Sequence, residues 1–574
     1  MITRGGWTAS LIVAILSQSL GASAWAESAA DVLMQSVAPV PTPPGAKTIK
    51  PPVAANGPES DEAILSDNGT ADEQFKLDDA FLTHLFSEWH VRRHALPDDV
   101  NHWVVLTLRH QPAQAAQAWN SIQHKVPGAF AHTAKAGWLY SLWRLSLAQP
   151  FFNEWSRAMT SSGYSGSESE RTLEQVMAPG FDQWLISQSI LLTPAQIEWV
   201  RSTEITRSPI FLGLHAYAAL RSPKVAAQLL SHLPAAHPLK PILAETVMLS
   251  LARKEDLAAT GRLLKAQLEP SVMAQKDPVL LGQYYLQVAR LLYQADSLEA
   301  SQTYYERIPN TSPSYLRAHE ELAWVWLRQS NTQRLRGELV TLASPILRSK
   351  FVPEAYVVRA VSNLKLCYYD QVERDFTEFL QASQGWSNQI KAGLQTPASV
   401  RPEDPDFFML MAERAVERRH AEVAALDQLA AASVTAIGGA APQSHWLKLK
   451  DETVKDSDLA LAHQTSEYRR FWTNRKTALV EAVRKMRFVK VELLSQWHEI
   501  AQAASNPDTQ VLAVDGAGAQ TDSIRVAQSA PKRALALQKT PEQIAFPYDG
   551  VTWPDELFRL RSLAPNQCLN RRTQ

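Results

Sequence analysis

From about residue 78 to residue 270 the apolar positions recur at intervals of three and four, with polar residues between them and breaks at Pro and Gly. That period puts the apolar side chains on one face of a helix, whereas a half-buried strand would alternate with a period of two. A first helical stretch is predicted over DDAFLTHLFSEWHVRRHAL (78–96). The segments VNHWVVLTLRH, AQAAQAWNSI, AKAGWLYSLWRLSL and PAQIEWVRSTEI then each read as one helix face. Breaks are expected at Gln111-Pro112, Pro127-Gly128, Gln149-Pro150 and Ser222-Pro223, because the residue before proline resists the α conformation. No strand pattern competes, and the prediction is an all-α chain.

A repeat follows this pattern. Tyr356, Ala360 and Asn363 fall at i, i+4 and i+7 of one helix, and Tyr369, Val372, Phe376 and Phe379 follow on a second. Tyr285, Ala289, Leu292, Ser301, Tyr305, Ile308 and Pro313 fill the same positions one unit earlier, and His319, Ala323, Trp326, Leu339 and Leu342 lie between. The anchors Ala289, Ala323 and Ala360 are 323 − 289 = 34 and 360 − 323 = 37 residues apart. This resembles the tetratricopeptide family, whose unit is two antiparallel helices in about 34 residues with small residues where they touch. The resemblance covers 279–380. It weakens upstream, where LHAYAALRSPKVAAQLLSHLP (214–234) and AETVMLSLARKEDLAATGRLLKAQL (244–268) keep the rhythm without the signature residues. It implies a tetratricopeptide-like α-solenoid, a superhelix of helix pairs that bury their apolar faces only by stacking.

Around the repeats the chain divides as follows. A segment 1–26 reads as a signal peptide: a short positive start ending at Arg4, an apolar run from Trp7 to Leu20, and the small-x-small Ala24-Trp25-Ala26, with cleavage expected after Ala26. A Pro-rich linker spans 27–76, helical repeats 77–270, tetratricopeptide-like repeats 271–382, and an irregular helical region with insertions 383–455, its Gly and Pro concentrated in 384–405. A long amphipathic helix is expected over 456–504. One apolar stripe runs along it through Tyr468, Phe471, Leu479, Ala482, Met486, Val489, Leu493, Trp497 and Ile500. Its other face, 469–490, carries Arg469, Arg470, Arg475, Lys476, Arg484, Lys485, Arg487 and Lys490. That face is either solvated, with Glu467, Glu481 and Glu492 as partners, or a ridge that meets an acidic partner or a membrane surface. A flexible tether (505–543) and an aromatic tail (544–574) complete the chain.

Composition narrows the function. Lys plus Arg is 57 against 58 Asp plus Glu, a net charge of −1, so nothing points to nucleic acid. The 17 tryptophans imply large side chains packed between helices. No later stretch approaches the roughly 18 apolar residues of a membrane span, so an integral span in the mature chain is not expected. No HExxH, Walker-type loop, GxSxG or CxxC is present. His90 and His94, with His84 and His102 nearby, sit at a spacing that could share a metal, but no third ligand accompanies them. Adjacent carboxylates such as Asp98-Asp99 and Glu320-Glu321 point to different sides of a helix and cannot face each other as an acid/base pair. Helical superhelices also precede the lysozyme-like domain of some lytic transglycosylases, but here only a tether and tail follow the repeats. No catalytic residue, metal or cofactor is expected.

Two cysteines remain, Cys367 at a helix–helix turn and Cys568 in the tail, 568 − 367 = 201 residues apart. In an exported protein the alternatives are a disulfide and two unrelated thiols, and the disulfide is the expectation. The bridge would bring the tail back to the repeat turn and bury Phe546, Tyr548, Trp553, Leu557 and Phe558 against the repeats. The tail box FPYDGVTWPDEL…C together with the LCYYDQVERDF turn resembles exported repeat proteins of gliding-type envelope machines. That implies a periplasmic scaffold in a multiprotein complex of motility or adhesion. The first functional expectation is thus a non-enzymatic scaffold binding other envelope proteins, with Tyr285, Tyr315, His319 and Tyr356 as contact candidates. The second is a glycan-binding or wall-modifying factor that stacks sugars on Trp119, Trp138, Trp143 or Trp155.

Overall fold

The computed structural model describes residues 79–505 except positions 88, 161–167, 206–208, 345–346, 348–349, 404 and 437–442, together with Gln567 and Cys568. The signal sequence 1–26, the linker 27–76, the tether beyond Ser505 and the tail residues Phe546, Tyr548, Trp553, Leu557 and Phe558 lie outside the described residues. Among the described residues every regular element is helical and no strand occurs. Among the described residues the fold is all-α, as the apolar period predicts, with the tetratricopeptide-like helix pairs that the resemblance implies and a long helix after them.

One turn recurs through the chain. His110, Ser146, Ser189, Glu255, Asp296, Ser330 and Cys367 all adopt left-handed backbone, with φ between 47° and 61°. The residue after each sends its N–H back to the carbonyl five residues earlier, at 2.9–3.3 Å, as in Gln111 to Leu106, Leu147 to Leu142 and Tyr368 to Asn363. This is a Schellman-type cap, which satisfies helix-end carbonyls and reverses the chain. In six of the seven turns the next helix begins two residues on.

The chain forms two compact units. One joins the described residues up to Tyr284 to Gly393–Phe471; the other joins Tyr285–Ala392 to the described residues from Trp472 onward. In the first unit the tryptophans form its interior. The Trp103 ring lies 5.2 Å from Trp119, and Trp119 stacks on Trp138 at 5.8 Å. Gly137 permits this packing, since a Cβ there would stand 2.7 Å from the Trp103 ring. A second cluster sets Trp155 against Phe152, Phe181 and Trp199 at 5.6–6.0 Å. The unit also holds an Arg419 with no exposed surface, whose Nε meets Glu422 Oε2 at 2.7 Å and whose guanidinium donates to Gln149 Oε1 at 2.7 Å.

The repeats run through α1 (Pro278–Gln294), α2 (Leu298–Glu306), α3 (Tyr315–Arg328), α4 (Thr332–Leu342), α5 (Pro353–Lys365) and α6 (Tyr369–Gln395). Two more helices follow, α7 (Phe407–Ala436) and α8 (Gln443–Ser505). The small anchors Ala289, Ser301, Ala323 and Ala360 all have no exposed surface. Ser301 Oγ donates to the Ala289 carbonyl at 2.8 Å, so its hydroxyl is satisfied where α1 and α2 touch.

Four expectations need correction. The helix α6 does not loosen at 384; it runs through Gly385 to Gln395, held by Trp386, which packs on Phe351 and Tyr356 at 5.3 and 5.9 Å. Packing of that indole outweighs the roughly 1 kcal/mol cost of a glycine in a helix. The last helix starts at Gln443 rather than near 456 and counts 63 residues. Pro150 does not end a helix but occupies the first turn of Ala148–Thr160, where its missing N–H costs nothing. The 78–96 stretch breaks into Asp79–Leu85, a single turn Trp89–Arg92 and a 3₁₀ turn Arg93–Ala95.

Candidate functional site

The first helices of two successive pairs, α3 and α5, meet the chain's own α8. Its lower half buries Leu479, Ala482, Met486, Val489 and Leu493, each at most 8% exposed. Lys485 Nζ reaches Glu354 Oε1 of α5 at 2.7 Å and lies 5.7 Å from the centre of the Trp324 ring of α3. Lys490 bonds Glu373 of α6 at 3.0 Å and lies 5.2 Å from the Phe376 ring. Arg475 lies over Phe351 at 4.9 Å. Part of the basic ridge therefore finds acidic and aromatic partners within the protein, 485 − 354 = 131 and 490 − 373 = 117 residues away in sequence. Glu467 pairs locally with Arg470 of the ridge, as expected, and also with the distant Arg221. Arg469, Lys476, Arg484 and Arg487 remain exposed.

The two adjacent carboxylates of α3 do point apart. Glu321 accepts from Arg290 at 2.6 and 2.8 Å, from Arg317 at 3.1 Å and from Tyr305 at 3.0 Å. Burial alone would raise its pKa, but the two guanidiniums bring it down to about 2. Glu320 accepts the N–H groups of Glu354 and Ala355, the start of α5, at 2.8 and 3.2 Å. Burial, reinforced by the neighbouring Glu354 charge, pushes it up to about 8. Both groups are consumed in joining one repeat to the next.

Three of the four candidate contact residues keep part of their side chains at the surface. Tyr285 packs on Tyr304 at 6.0 Å, Tyr315 on His319 at 4.5 Å, and Tyr356 on Phe379 at 6.0 Å. His319 is different. It is only 8% exposed and its Nδ1 lies 3.0 Å from Glu338 Oε2, so it is an interior group. Trp119, Trp138 and Trp155 are at most 6% exposed and offer no face to a sugar; of the four only Trp143 is partly exposed. His90 and His94 fall on different short turns, so the shared helix face their spacing suggested does not form. Among the described residues no group of three or more His, Cys, Asp or Glu draws together as metal donors, and no helix is long and apolar enough to cross a membrane.

The cysteines are joined. Cys367 and Cys568 form a disulfide with Cα atoms 5.3 Å apart, and the Gln567 N–H donates to the Leu366 carbonyl at 3.1 Å. Along α8, apolar side chains face solvent in two groups: Leu447, Val454, Leu459 and Leu461 towards its start, and Val480, Phe488, Val491, Leu494 and Ile500 further on, each between 36% and 62% exposed. Of these the sequence pattern named only Ile500, which it put on the apolar stripe and which the structure leaves exposed.

No protein-family model and no curated protein matches the chain. Among solved structures the chain is similar to a Rap protein complexed with competence and sporulation factor, at 12% identity over 67% of this chain and 98% of that one. The TM-score is 0.20, too low to carry an argument.

Proposed function

We propose that the protein is a non-enzymatic, periplasmic helical-repeat scaffold that holds other proteins in a cell-envelope complex, one of motility or adhesion. The observation that carries this reading is the row Leu447, Val454 and Leu461. These are apolar side chains 49%, 36% and 42% exposed, seven residues apart on one long helix. Apolar residues at heptad spacing on a solvated face form the seam against which a partner helix packs. Tyr285, Tyr315 and Tyr356 are proposed as further partner contacts, since rigid aromatic side chains anchor interfaces. The signal-like start and the disulfide support an oxidising compartment outside the cytoplasm. The glycan reading loses its support with the burial of Trp119, Trp138 and Trp155.

The test compares pull-downs by the wild type and by Leu447→Asp/Val454→Asp/Leu461→Asp, from detergent-solubilised envelope and from purified sacculi. The scaffold reading expects specific proteins retained by the wild type and lost by the triple variant. Retention on sacculi without protein partners would overturn it.

A further inference from the structure

The second exposed group on α8 lies in a groove. Between the far part of α6 and the stretch 479–491 of α8 is an open trough of about 710 Å³. Its walls include Ser387, Val480, Arg484, Arg487, Phe488 and Val491, and no acidic residue lines it. Val480, Phe488 and Val491 are 56%, 42% and 62% exposed. Arg484 and Arg487 stand exposed beside them. An apolar floor flanked by two guanidiniums fits a chain segment that is aromatic and acidic.

We propose that this groove seats the chain's own segment 546–560, FPYDGVTWPDELFRL. The chemistry matches on both counts: Phe546, Tyr548, Trp553 and Phe558 suit the floor, and Asp549, Asp555 and Glu556 suit the arginines. The chain length matches as well. Cys568 is fixed at the Cys367 turn, and α6 begins two residues after that turn. Ser387 lies 387 − 369 = 18 residues along α6, about 27 Å at 1.5 Å per residue. Phe558 and Trp553 precede Cys568 by 10 and 15 residues, enough to span about 33 and 50 Å when extended. The tail therefore reaches the groove with the disulfide closed. Covalent attachment so near the groove also raises the tail's effective concentration there. A second copy fits less well, because a two-fold contact through this patch would set its arginines against their own equivalents.

The seat is tested in the full-length oxidised protein carrying the photo-crosslinker p-benzoylphenylalanine in place of Phe488 or of Val491. Irradiated monomer is digested and the crosslinked peptides are identified by mass spectrometry. The proposal expects intramolecular crosslinks to residues 546–560 from both positions. Their yield should fall roughly tenfold or more on reduction of the disulfide. It should fall severalfold in Arg484→Glu/Arg487→Glu, with circular dichroism matching the wild type as the control for folding. Because charge reversal alters the groove, Trp553→Ala/Phe558→Ala supplies an independent variant that alters only the tail, and it should lower the yield as well. Crosslinks to a second copy, to added anionic vesicles, or only to segments outside 546–560 would overturn the proposal, as would a yield indifferent to all three changes. The scaffold reading is tested separately through Leu447, Val454 and Leu461, so either idea can fail alone.

Discussion

Replacing Arg419 by methionine should be among the most damaging single changes in this chain, and Glu422 decides by how much. The guanidinium has no exposed surface, and Glu422 is 3% exposed. Arg419 binds Glu422 through Nε at 2.7 Å and through a terminal nitrogen at 3.1 Å, while Gln149 Oε1 takes a third bond at 2.7 Å. Arg419→Met leaves a buried carboxylate with the Gln149 N–H, at 3.1 Å, and the Ala148 N–H as its remaining donors. Breaking a buried pair on one side costs about 3–5 kcal/mol. Arg419→Met/Glu422→Leu removes both charges and leaves those backbone N–H groups at the start of Ala148–Thr160 without their acceptor, costing about 1–3 kcal/mol. The double variant should therefore be more stable than either single one, a strongly non-additive cycle. The readout is hydrogen-exchange mass spectrometry on peptides from Ala148–Thr160 and from α7, which reports the local opening free energy. The sign with pH follows from Glu422, whose pKa burial already raises despite Arg419. Without the arginine it rises further. A folded pKa above the unfolded one gives stability that is present at low pH and lost as pH rises. The deficit of Arg419→Met should thus be largest near pH 8 and shrink towards pH 5. Additive effects, or single variants each costing less than about 1 kcal/mol, would show that this network does not hold the unit together.

Four further outcomes follow from the same structure. Glu320 titrates at about 8 in the fold against 4.5 in the unfolded chain, so its contribution is complete below pH 4.5 and is lost as pH rises through 8. Glu320→Gln should accordingly flatten the fall in stability between those values, as followed by thermal melting at several pH values. Gly137→Ala should destabilise by about 1–3 kcal/mol in chemical denaturation, because the new Cβ overlaps the Trp103 ring. Cys568→Ser opens a 201-residue loop and should cost up to about 5 kcal/mol in the entropic account, with less measured where the unfolded state keeps structure. Non-reducing peptide mapping should find Cys367 and Cys568 in one linked peptide, and recovery of both as free thiols after export would contradict the bridge.

Much of this architecture is visible in local spacing, since helix faces and small anchors repeat at short range. Ala289, Ala323 and Ala360 are buried where the repeat period puts them. The earlier repeats are harder to see because 214–234 and 244–268 keep the helix rhythm without the signature residues. Turns give no help in either part: His110, Ser146, Ser189, Glu255, Asp296, Ser330 and Cys367 all take up the left-handed conformation without glycine, at a cost of roughly 1 kcal/mol each, so the usual compositional mark of a helix end is missing. Gly385 misleads in the opposite direction, as a glycine kept inside a helix by the packing of Trp386. The fate of the basic ridge could not be read locally at all. The partners of Lys485 and Lys490 are more than a hundred residues away, and only stacking of the repeats brings Glu354 and Glu373 to them. Arg419 is hidden for the same reason: within RAVERRHAEV nothing separates the arginine that is buried from those that are not.

The most direct test of a scaffold built from stacked helix pairs is crosslinking of the intact envelope followed by mass spectrometry of this protein's peptides. The account predicts reproducible crosslinks between defined envelope proteins and the 447–461 stretch, and their disappearance in the triple aspartate variant. A protein that crosslinks only to itself, or whose neighbours are unchanged by those substitutions, would contradict it.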